Sequence, residues 1–536
     1  MAMADDPNTP WECEGAPPKY KKHKLYENAA GIEKCVECGR PRNYAGGGSS
    51  NGPPIPWSKV GAAAVILVLL GGIGYGISGL FKSCPTGQQK QGFSCVTVAV
   101  EPPPRPTRTP TTTPITPPTT QTIDIERYSS GENRLFVGRE NPDSERGIKA
   151  FRNGQYSQAV QDFEKAVNGD RNSPEHQIYL NNAKARLAGS PFLIGAVVPI
   201  DTAASSAEEM LRGVADAQTR FNQAGGLNGR LLEVIVANDS NDPQRATEVA
   251  KRLASDPNLL GVIGHNSSDA TQAGLAEYEQ AGIPMISPTS TSTALSGNSF
   301  FRTLPSDAIN GQKLADYAWY TLEIDNVAIF YNPNSSYSKS LETAFSQAFQ
   351  QFGGRVVKTI DLSNEQLDPQ REIQNLQGQV EGLVLFPNTA YISVAIALAV
   401  ANNNQMKLLG GDALYNPNTL TSGSNAVEGL ILAVPWFADG KYAEAAERRW
   451  LGQVNWRTAM SFDATQAMIN ALSEQASRSS VLQNLRNISL SNADTSGNLL
   501  QFESTGDRQG DPILVQAVKG GRNAPRGTQF SFQPIK

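Results

Sequence analysis

Short, mainly apolar runs alternate with segments of helical periodicity from Phe192 to about Ala471. Continuous apolar runs of this length are typical of strands covered on both faces. Their alternation with helices predicts an α/β fold with parallel sheets, and nine strands over about 340 residues fit two lobes better than one sheet. The predicted strands are Phe192–Val198, Leu232–Ala237, Leu260–Gly264, Pro284–Ser287, Val327–Tyr331, Val356–Ile360, Gly382–Phe386, Lys407–Gly410 and Gly429–Val434.

Two polar turns follow neighbouring strands in the stretch from Leu260 to Thr293. His265–Asp269 separates the first strand from a predicted helix over Ala270–Ala281, and Thr289–Thr293 follows the second strand. In a parallel sheet both turns lie at the carboxyl ends of strands, where open α/β sheets bind ligands. Hydroxyls and the N–H groups of a helix start suit a carboxylate or another small anion. The alternative is that the first turn only caps the helix.

The N-terminal part contains a predicted membrane span. Val60–Phe81 has 22 residues without a charge, enough to cross a ~30 Å hydrocarbon core. Lysine and arginine are concentrated before this span, and such residues favour the cytoplasmic side. We therefore expect a single pass through the inner (plasma) membrane at residues 58–82, with residues 1–57 cytoplasmic and the C-terminal part periplasmic.

The five cysteines divide at the same span. Cys84 and Cys95 follow it and are predicted to form a disulfide in an oxidising compartment. Cys13, Cys35 and Cys38 precede it, and with His23 they form a candidate zinc site, in which C-x-x-C supplies two thiolates. The W-x-C and C-x-x-C-G pattern resembles a small zinc-ribbon finger, but a second cysteine soon after Cys13 is missing.

Residues 83–142 comprise this cysteine loop and a spacer whose Pro/Thr-rich core, residues 101–122, favours extended polyproline II. Residues 143–188 are predicted to be a helical hairpin. Its pattern G-x-Y-x-x-A over 154–159, followed by Phe163 and Ala166, resembles a tetratricopeptide repeat. A single repeat cannot bury its faces alone, so we expect it to pack on the following domain, residues 190–536, or on a partner.

Composition and motifs exclude several classes of function. The net charge of -5 and a pI near 5.5 provide no basic surface for nucleic acid. The three histidines are far apart, and no motif joins a nucleophile to a base. No G-x-G-x-x-G or Walker-type loop follows a strand, so the binding domain is expected to use no cofactor and the protein is not expected to be an enzyme.

The C-terminal part resembles the type I periplasmic binding proteins, specifically the leucine/isoleucine/valine-binding family of branched-chain amino acid ABC transporters. The resemblance covers about 192–536 and rests on an ordered series of segments, 194–230, 260–293, 301–312, 327–341, 411–416 and 457–472. It implies two lobes that close on an amino acid by a hinge motion. The first lobe is expected at about 190–310 and 437–500, and the second at about 311–436 and 501–536.

The resemblance also implies the ligand-binding residues. By position, the hydroxyls of Ser268 and Thr291 would bind the α-carboxylate, and Thr289 would contribute backbone contacts. Asp412 would face the α-ammonium group, since a buried cation needs a paired anion. The alternative for Asp412 is a loop aspartate that only makes a turn.

The second lobe would supply the rest of the pocket. Tyr337 is where the family has an aromatic lid. Thr389 or Ala390 stands where the family has another aromatic, so either Tyr391 replaces it or the side-chain pocket is wider or more polar. Leucine is therefore not named as the ligand.

The expected function is binding of an amino acid or similar small amide by a membrane-anchored extracytoplasmic protein that serves ABC permease subunits. A second hypothesis is a receptor that signals lobe closure to a cytoplasmic partner through residues 1–57. A third is an inert scaffold whose working surface is the helical hairpin, which a cleft filled with side chains would support.

Overall fold

The computed structural model describes residues 127–521 and 524–535, together with four short strands within residues 1–126. These strands form two antiparallel pairs, β1 (Trp11–Cys13) with β2 (Tyr26–Asn28) and β3 (Gln88–Gln91) with β4 (Ser94–Thr97). The predicted zinc ligands, membrane span and disulfide lie outside the residues described with their side chains. Among the described residues, no helix is both long and apolar enough to span a bilayer.

Two-thirds of the chain folds as alternating strands and helices. The remaining strands are β5 (Tyr128–Ser129), β6 (Phe192–Val198), β7 (Leu232–Asn238), β8 (Leu259–Ile263), β9 (Met285–Ser287), β10 (Phe300–Arg302), β11 (Asn326–Tyr331), β12 (Arg355–Asp361), β13 (Gly382–Phe386), β14 (Lys407–Gly410), β15 (Ile431–Val434), β16 (Ser489–Leu490), β17 (Leu500–Gln501), β18 (Ile513–Lys519) and β19 (Phe530–Pro534). The helices are α1 (Pro142–Arg152), α2 (Tyr156–Gly169), α3 (Pro174–Ala188), α4 (Ala204–Gln223), α5 (Pro243–Ala254), α6 (Ser268–Ala281), α7 (Asp307–Tyr320), α8 (Ser336–Gln351), α9 (Pro369–Leu376), α10 (Ile392–Asn402), α11 (Pro417–Gly423), α12 (Gly440–Trp450), α13 (Trp456–Asn470) and α14 (Arg478–Arg486).

The first lobe is built on a sheet with the strand order β10-β9-β8-β6-β7-β5, parallel except for β5. Every residue of β6 is buried. Ile194 and Val198 point into one apolar core and Leu193 and Val197 into another, because helices cover both faces. Strand β10 was not predicted, since it has only three residues and no helix separates it from β9.

The second lobe is built on a sheet with the order β12-β11-β13-β14-β15-β18-β19. Its first five strands are parallel, and β18 and β19 add an antiparallel edge. The alternation of strand and helix did not predict this edge, because β18 and β19 follow one another without a helix between them. The predicted two-lobed α/β architecture is confirmed.

The chain passes between the lobes three times, after β10, after β15 and before β18. The last crossing comes later than the predicted boundary at residue 501. Arg302 Nε donates to Asp507 Oδ1 at 2.5 Å, and Arg508 Nη1 donates to Asp463 Oδ2 at 2.8 Å. Residues up to Arg508 therefore pack with the first lobe.

Residues 142–188 form three helices rather than the predicted two-helix hairpin. The side chains of Ala159, Phe163 and Ala166 are fully buried, in agreement with their helical spacing. The third helix, α3, lies on the first lobe, where the Asn182 side chain accepts from Val234 N at 2.9 Å and donates to Val234 O at 2.8 Å. The helices thus pack on the following domain, which was one of the two alternatives.

Candidate functional site

A cavity of about 310 Å³ lies between the two lobes. Its walls come from loops after β6 to β9 in the first lobe, from loops after β11, β13 and β14 in the second, and from the start of α13. These are carboxyl ends of parallel strands, where open sheets bind ligands. Five of the six predicted ligand-binding residues line it, namely Ser268, Thr289, Tyr337, Thr389 and Asp412.

The N-terminus of α6 opens onto this cavity. Ser267 caps the helix, since its hydroxyl accepts from Ala270 N at 3.2 Å. Ser268 and Asp269 line the cavity as the first two helical residues, and N–H groups at these positions have no intrahelical acceptor. Together with the Ser268 hydroxyl they can bind a carboxylate, favoured by the positive end of the helix dipole.

The hydroxyl-rich turn after β9 is hydrogen-bonded to the turn His265–Asp269 that follows β8. Thr289 lines the cavity, but its hydroxyl donates to the backbone oxygens of Asn266 at 2.8 Å and His265 at 3.0 Å. The Thr289 hydroxyl is thus engaged within the first lobe, and its backbone contacts with a ligand stay a prediction. Thr291 does not line the cavity: it is 1% exposed and its backbone oxygen accepts from Asp307 N at 2.8 Å. Thr291 is therefore the one predicted ligand-binding residue outside the cavity wall in this arrangement, and a contact of its hydroxyl with the ligand stays a prediction.

Behind that wall, the Asp307 carboxyl is fully buried without a hydrogen-bond partner among the described residues. The pKa of Asp307 is raised to about 7, mainly by burial; the Thr291 hydroxyl opposes this rise and the nearby charge of Asp412 adds to it. Nothing in the sequence distinguishes Asp307, since an aspartate at a helix start is usually an exposed cap.

Asp412 and Tyr337 form the acidic side of the cavity. The Tyr337 hydroxyl donates to Asp412 Oδ1 at 2.7 Å, so the tyrosine orients the carboxylate as well as covering the site. Asp412 is 4% exposed, and burial raises its pKa whereas the bond from Tyr337 lowers it. A carboxylate at this place attracts a cation, because an ammonium group would replace the lost solvation.

The residues that follow β13 form part of the cavity wall. Thr389 and Ala390 line the cavity there and are exposed. Tyr391 is not among the lining residues but packs against the core of the second lobe. Tyr391 therefore does not take the place of the family's aromatic residue in this arrangement, and the width and polarity of the side-chain pocket stay a prediction.

Two lining residues at the start of α13 were missed. Trp456 is 1% exposed, and the Arg457 side chain is 7% exposed and stacks on the Trp456 ring with its guanidinium carbon 4.3 Å from the centroid. Nothing in the local sequence marks them, since they belong to the first lobe yet lie about 190 residues beyond α6. Only the second crossing between the lobes brings them to the cavity.

The lobes also contact each other beside the cavity. Asp269 Oδ1 accepts from Ser336 N at 2.9 Å, at the N-terminus of α8 in the second lobe. Nearby, Thr293 N donates to Ser340 Oγ at 2.9 Å. One alternative from the sequence was that Asp269 caps α6, the helix in which it lies. In the structure its side chain instead caps α8 of the second lobe.

A buried histidine holds the first turn in place. His265 Nδ1 lies 2.7 Å from Asp239 Oδ2, and Nε2 lies 3.2 Å from the Tyr278 hydroxyl. All three side chains are buried and do not line the cavity. Within the described part of the chain, no three or more His, Cys, Asp or Glu side chains are grouped so that they could hold a metal ion.

The comparisons with known proteins agree with this geometry. The family described as periplasmic binding protein matches residues 191–522. The leucine-specific-binding protein of Salmonella typhimurium is 25% identical over 310 residues, which are 56% of this chain and 82% of that protein.

Solved structures show the same fold. The substrate-binding protein of a branched-chain amino acid transporter from Streptococcus pneumoniae, in complex with isoleucine, superposes with a TM-score of 0.57 at 16% identity, over 65% of this chain and 99% of that one. A solute-binding protein from R. palustris in complex with benzoate gives 0.55 at 17% identity, over 65% and 96%. Since the family match spans more than half of the chain, this protein belongs to the periplasmic binding protein family, with the two-lobed type I fold.

Proposed function

We propose that this protein is a membrane-anchored extracytoplasmic solute-binding protein that binds an amino acid or a similar small amide for ABC-type transport. The observation that carries the proposal is the pair of opposite poles in one cavity. The N-terminus of α6 in the first lobe suits a carboxylate, and Asp412 in the second lobe suits an ammonium group. The relatives that bind leucine or isoleucine support this ligand class.

The placement of the poles links binding to closure. A zwitterion held by both would connect the lobes, whereas in an open form it could reach only one of them. The ligand therefore has more contacts in the closed form, and that difference in affinity is what shifts a conformational equilibrium. The bond from Ser336 N to Asp269 adds a direct contact between the lobes in the same arrangement.

The span Val60–Phe81 supports anchoring, with residues 1–57 in the cytoplasm and the binding domain in the periplasm. Permease subunits are the proposed partners. The 57-residue segment with its candidate zinc ligands supports the second hypothesis, a receptor, because transport requires no cytoplasmic module. Affinity capture from membranes separates the two: permease subunits support transport, and a cytoplasmic protein lost on deletion of residues 1–57 supports signalling.

Ligand binding is tested by a thermal-shift screen of the full-length protein against the twenty amino acids, small amides and urea. A ligand at 100 times its dissociation constant should stabilise the folded protein by ~2.7 kcal/mol. A saturable shift with a zwitterion is the expected result. A screen in which no amino acid or amide shifts the transition would contradict the proposal.

A further inference from the structure

Arg457 and Trp456 line the cavity, and each has a buried side-chain N–H group without an acceptor among the described residues. Arg457 is 6% exposed and Trp456 1% exposed, and Arg457 Nε and Trp456 Nε1 have no hydrogen-bond partner among the described residues. Buried donors without acceptors are rare and unfavourable, and this applies most to a charged guanidinium. Arg457 thus forms part of the cavity wall with hydrogen-bonding capacity that the described residues leave unused.

The acidic neighbours do not satisfy this guanidinium. Glu209 Oε2 is 3.9 Å from Arg457 Nη1, which is an ion pair but too long for a hydrogen bond. The Asp412 carboxylate attracts the Arg457 guanidinium electrostatically, but the hydrogen bond that it accepts comes from the Tyr337 hydroxyl. The Trp456 ring stacks on one face of the guanidinium and fixes its orientation. The planar edge, with its donors, is left for another group.

Both poles of a zwitterion already have their sites elsewhere. The α-carboxylate is assigned to the N-terminus of α6 and the α-ammonium to Asp412, whereas Asp269 is engaged by Ser336 N. Arg457 is thus a third charged group in the cavity, and it is positive. Since guanidinium binds carboxylate in a bidentate fork, the complementary ligand carries a second carboxylate.

We propose that Arg457, oriented by Trp456, binds a carboxylate on the side chain of the ligand, so that the ligand is an amino acid with an acidic side chain. This inference rests on the proposed function, since it assumes that the α-carboxylate and α-ammonium occupy the two poles.

The test is calorimetric titration of the full-length protein with glutamate, aspartate, glutamine, leucine and benzoate. The variants are Arg457→Gln and Arg457→Lys, with Arg448→Gln as the matched control, since Arg448 is 72% exposed on α12. The unmodified protein and the control should bind the better of the two acidic amino acids at least tenfold more tightly than glutamine. Arg457→Gln should abolish this preference, and Arg457→Lys should retain part of it.

Several outcomes would overturn the inference. Equal affinity for glutamate and glutamine, or a preference that survives Arg457→Gln, would do so while leaving the proposed function intact, provided that a neutral amino acid binds. Binding of benzoate alone, or of no ligand, would refute both. If Arg457→Gln does not fold, the double variant Glu209→Gln/Arg457→Gln removes both charges of the ion pair and is expected to lose the same preference.

Discussion

Asp412 is the residue whose charge the binding hypothesis needs most directly. Replacing it by asparagine keeps the shape of the side chain and an oxygen that can accept from the Tyr337 hydroxyl, now 2.7 Å from Oδ1. What is removed is the negative charge. The substitution therefore tests the charge without opening a cavity, which Asp412→Ala would do.

The expected loss follows from burial. Asp412 is 4% exposed, so an ammonium group beside it is held away from water. Removing one partner of a buried charge pair costs about 2–5 kcal/mol. Asparagine still offers a neutral acceptor, which places the loss at about 2–3 kcal/mol, or roughly a 30- to 150-fold rise in Kd.

The stability of the ligand-free protein, unlike its affinity for ligand, should not fall when Asp412 is replaced by asparagine. Burial raises the folded-state pKa of Asp412 above 3.8, so between the two pKa values the folded protein binds more protons than the unfolded chain. Stability from this group is thus present at low pH and is lost as the pH rises through the folded pKa. An asparagine side chain at this position cannot ionise, hence Asp412→Asn without ligand should be at least as stable at pH 7 as the unmodified protein.

Calorimetry for Kd and thermal unfolding without ligand measure the two effects. Asp511→Asn is the control, because Asp511 is 73% exposed. Weaker binding together with an equal or higher melting temperature is the expected combination. An unchanged Kd would refute the role of Asp412, and a lowered melting temperature would show that the loss of binding comes from misfolding.

Three further results are expected. Asp269→Ala removes the acceptor of Ser336 N and should raise Kd about fivefold, because the closed form loses a contact between the lobes. X-ray scattering should then show less compaction on ligand binding. Compaction equal to that of the unmodified protein would argue against a role of this contact in closure. Because burial raises the pKa of Asp307 to about 7, melting temperature should fall from pH 4 toward pH 7, and Asp307→Asn should flatten this fall; parallel curves would exclude Asp307 as its source. Cys84 and Cys95 should resist thiol labelling of the full-length protein until it is reduced, and rapid labelling beforehand would argue against the disulfide.

The sequence alone determined most strands of the two sheets and the place of the site along the chain. Phe192–Val198, Gly382–Phe386 and Lys407–Gly410 have the predicted bounds, because an apolar run between polar loops leaves one way to bury itself in a parallel sheet. The turn at His265–Asp269 was found for the same reason. This turn directly follows a buried strand, so its position at the edge of the sheet follows from the neighbouring residues in the chain.

Tertiary structure decided which side chains face the ligand. Thr291 is two residues from Thr289 but lies behind the wall, and Asp269 serves the helix of the other lobe. Arg457 reaches the cavity only because the chain returns to the first lobe after β15. Local patterns report burial and secondary structure, whereas the direction of a polar side chain depends on the element packed opposite it. That element is distant in the chain, and its position is fixed only when the lobes assemble.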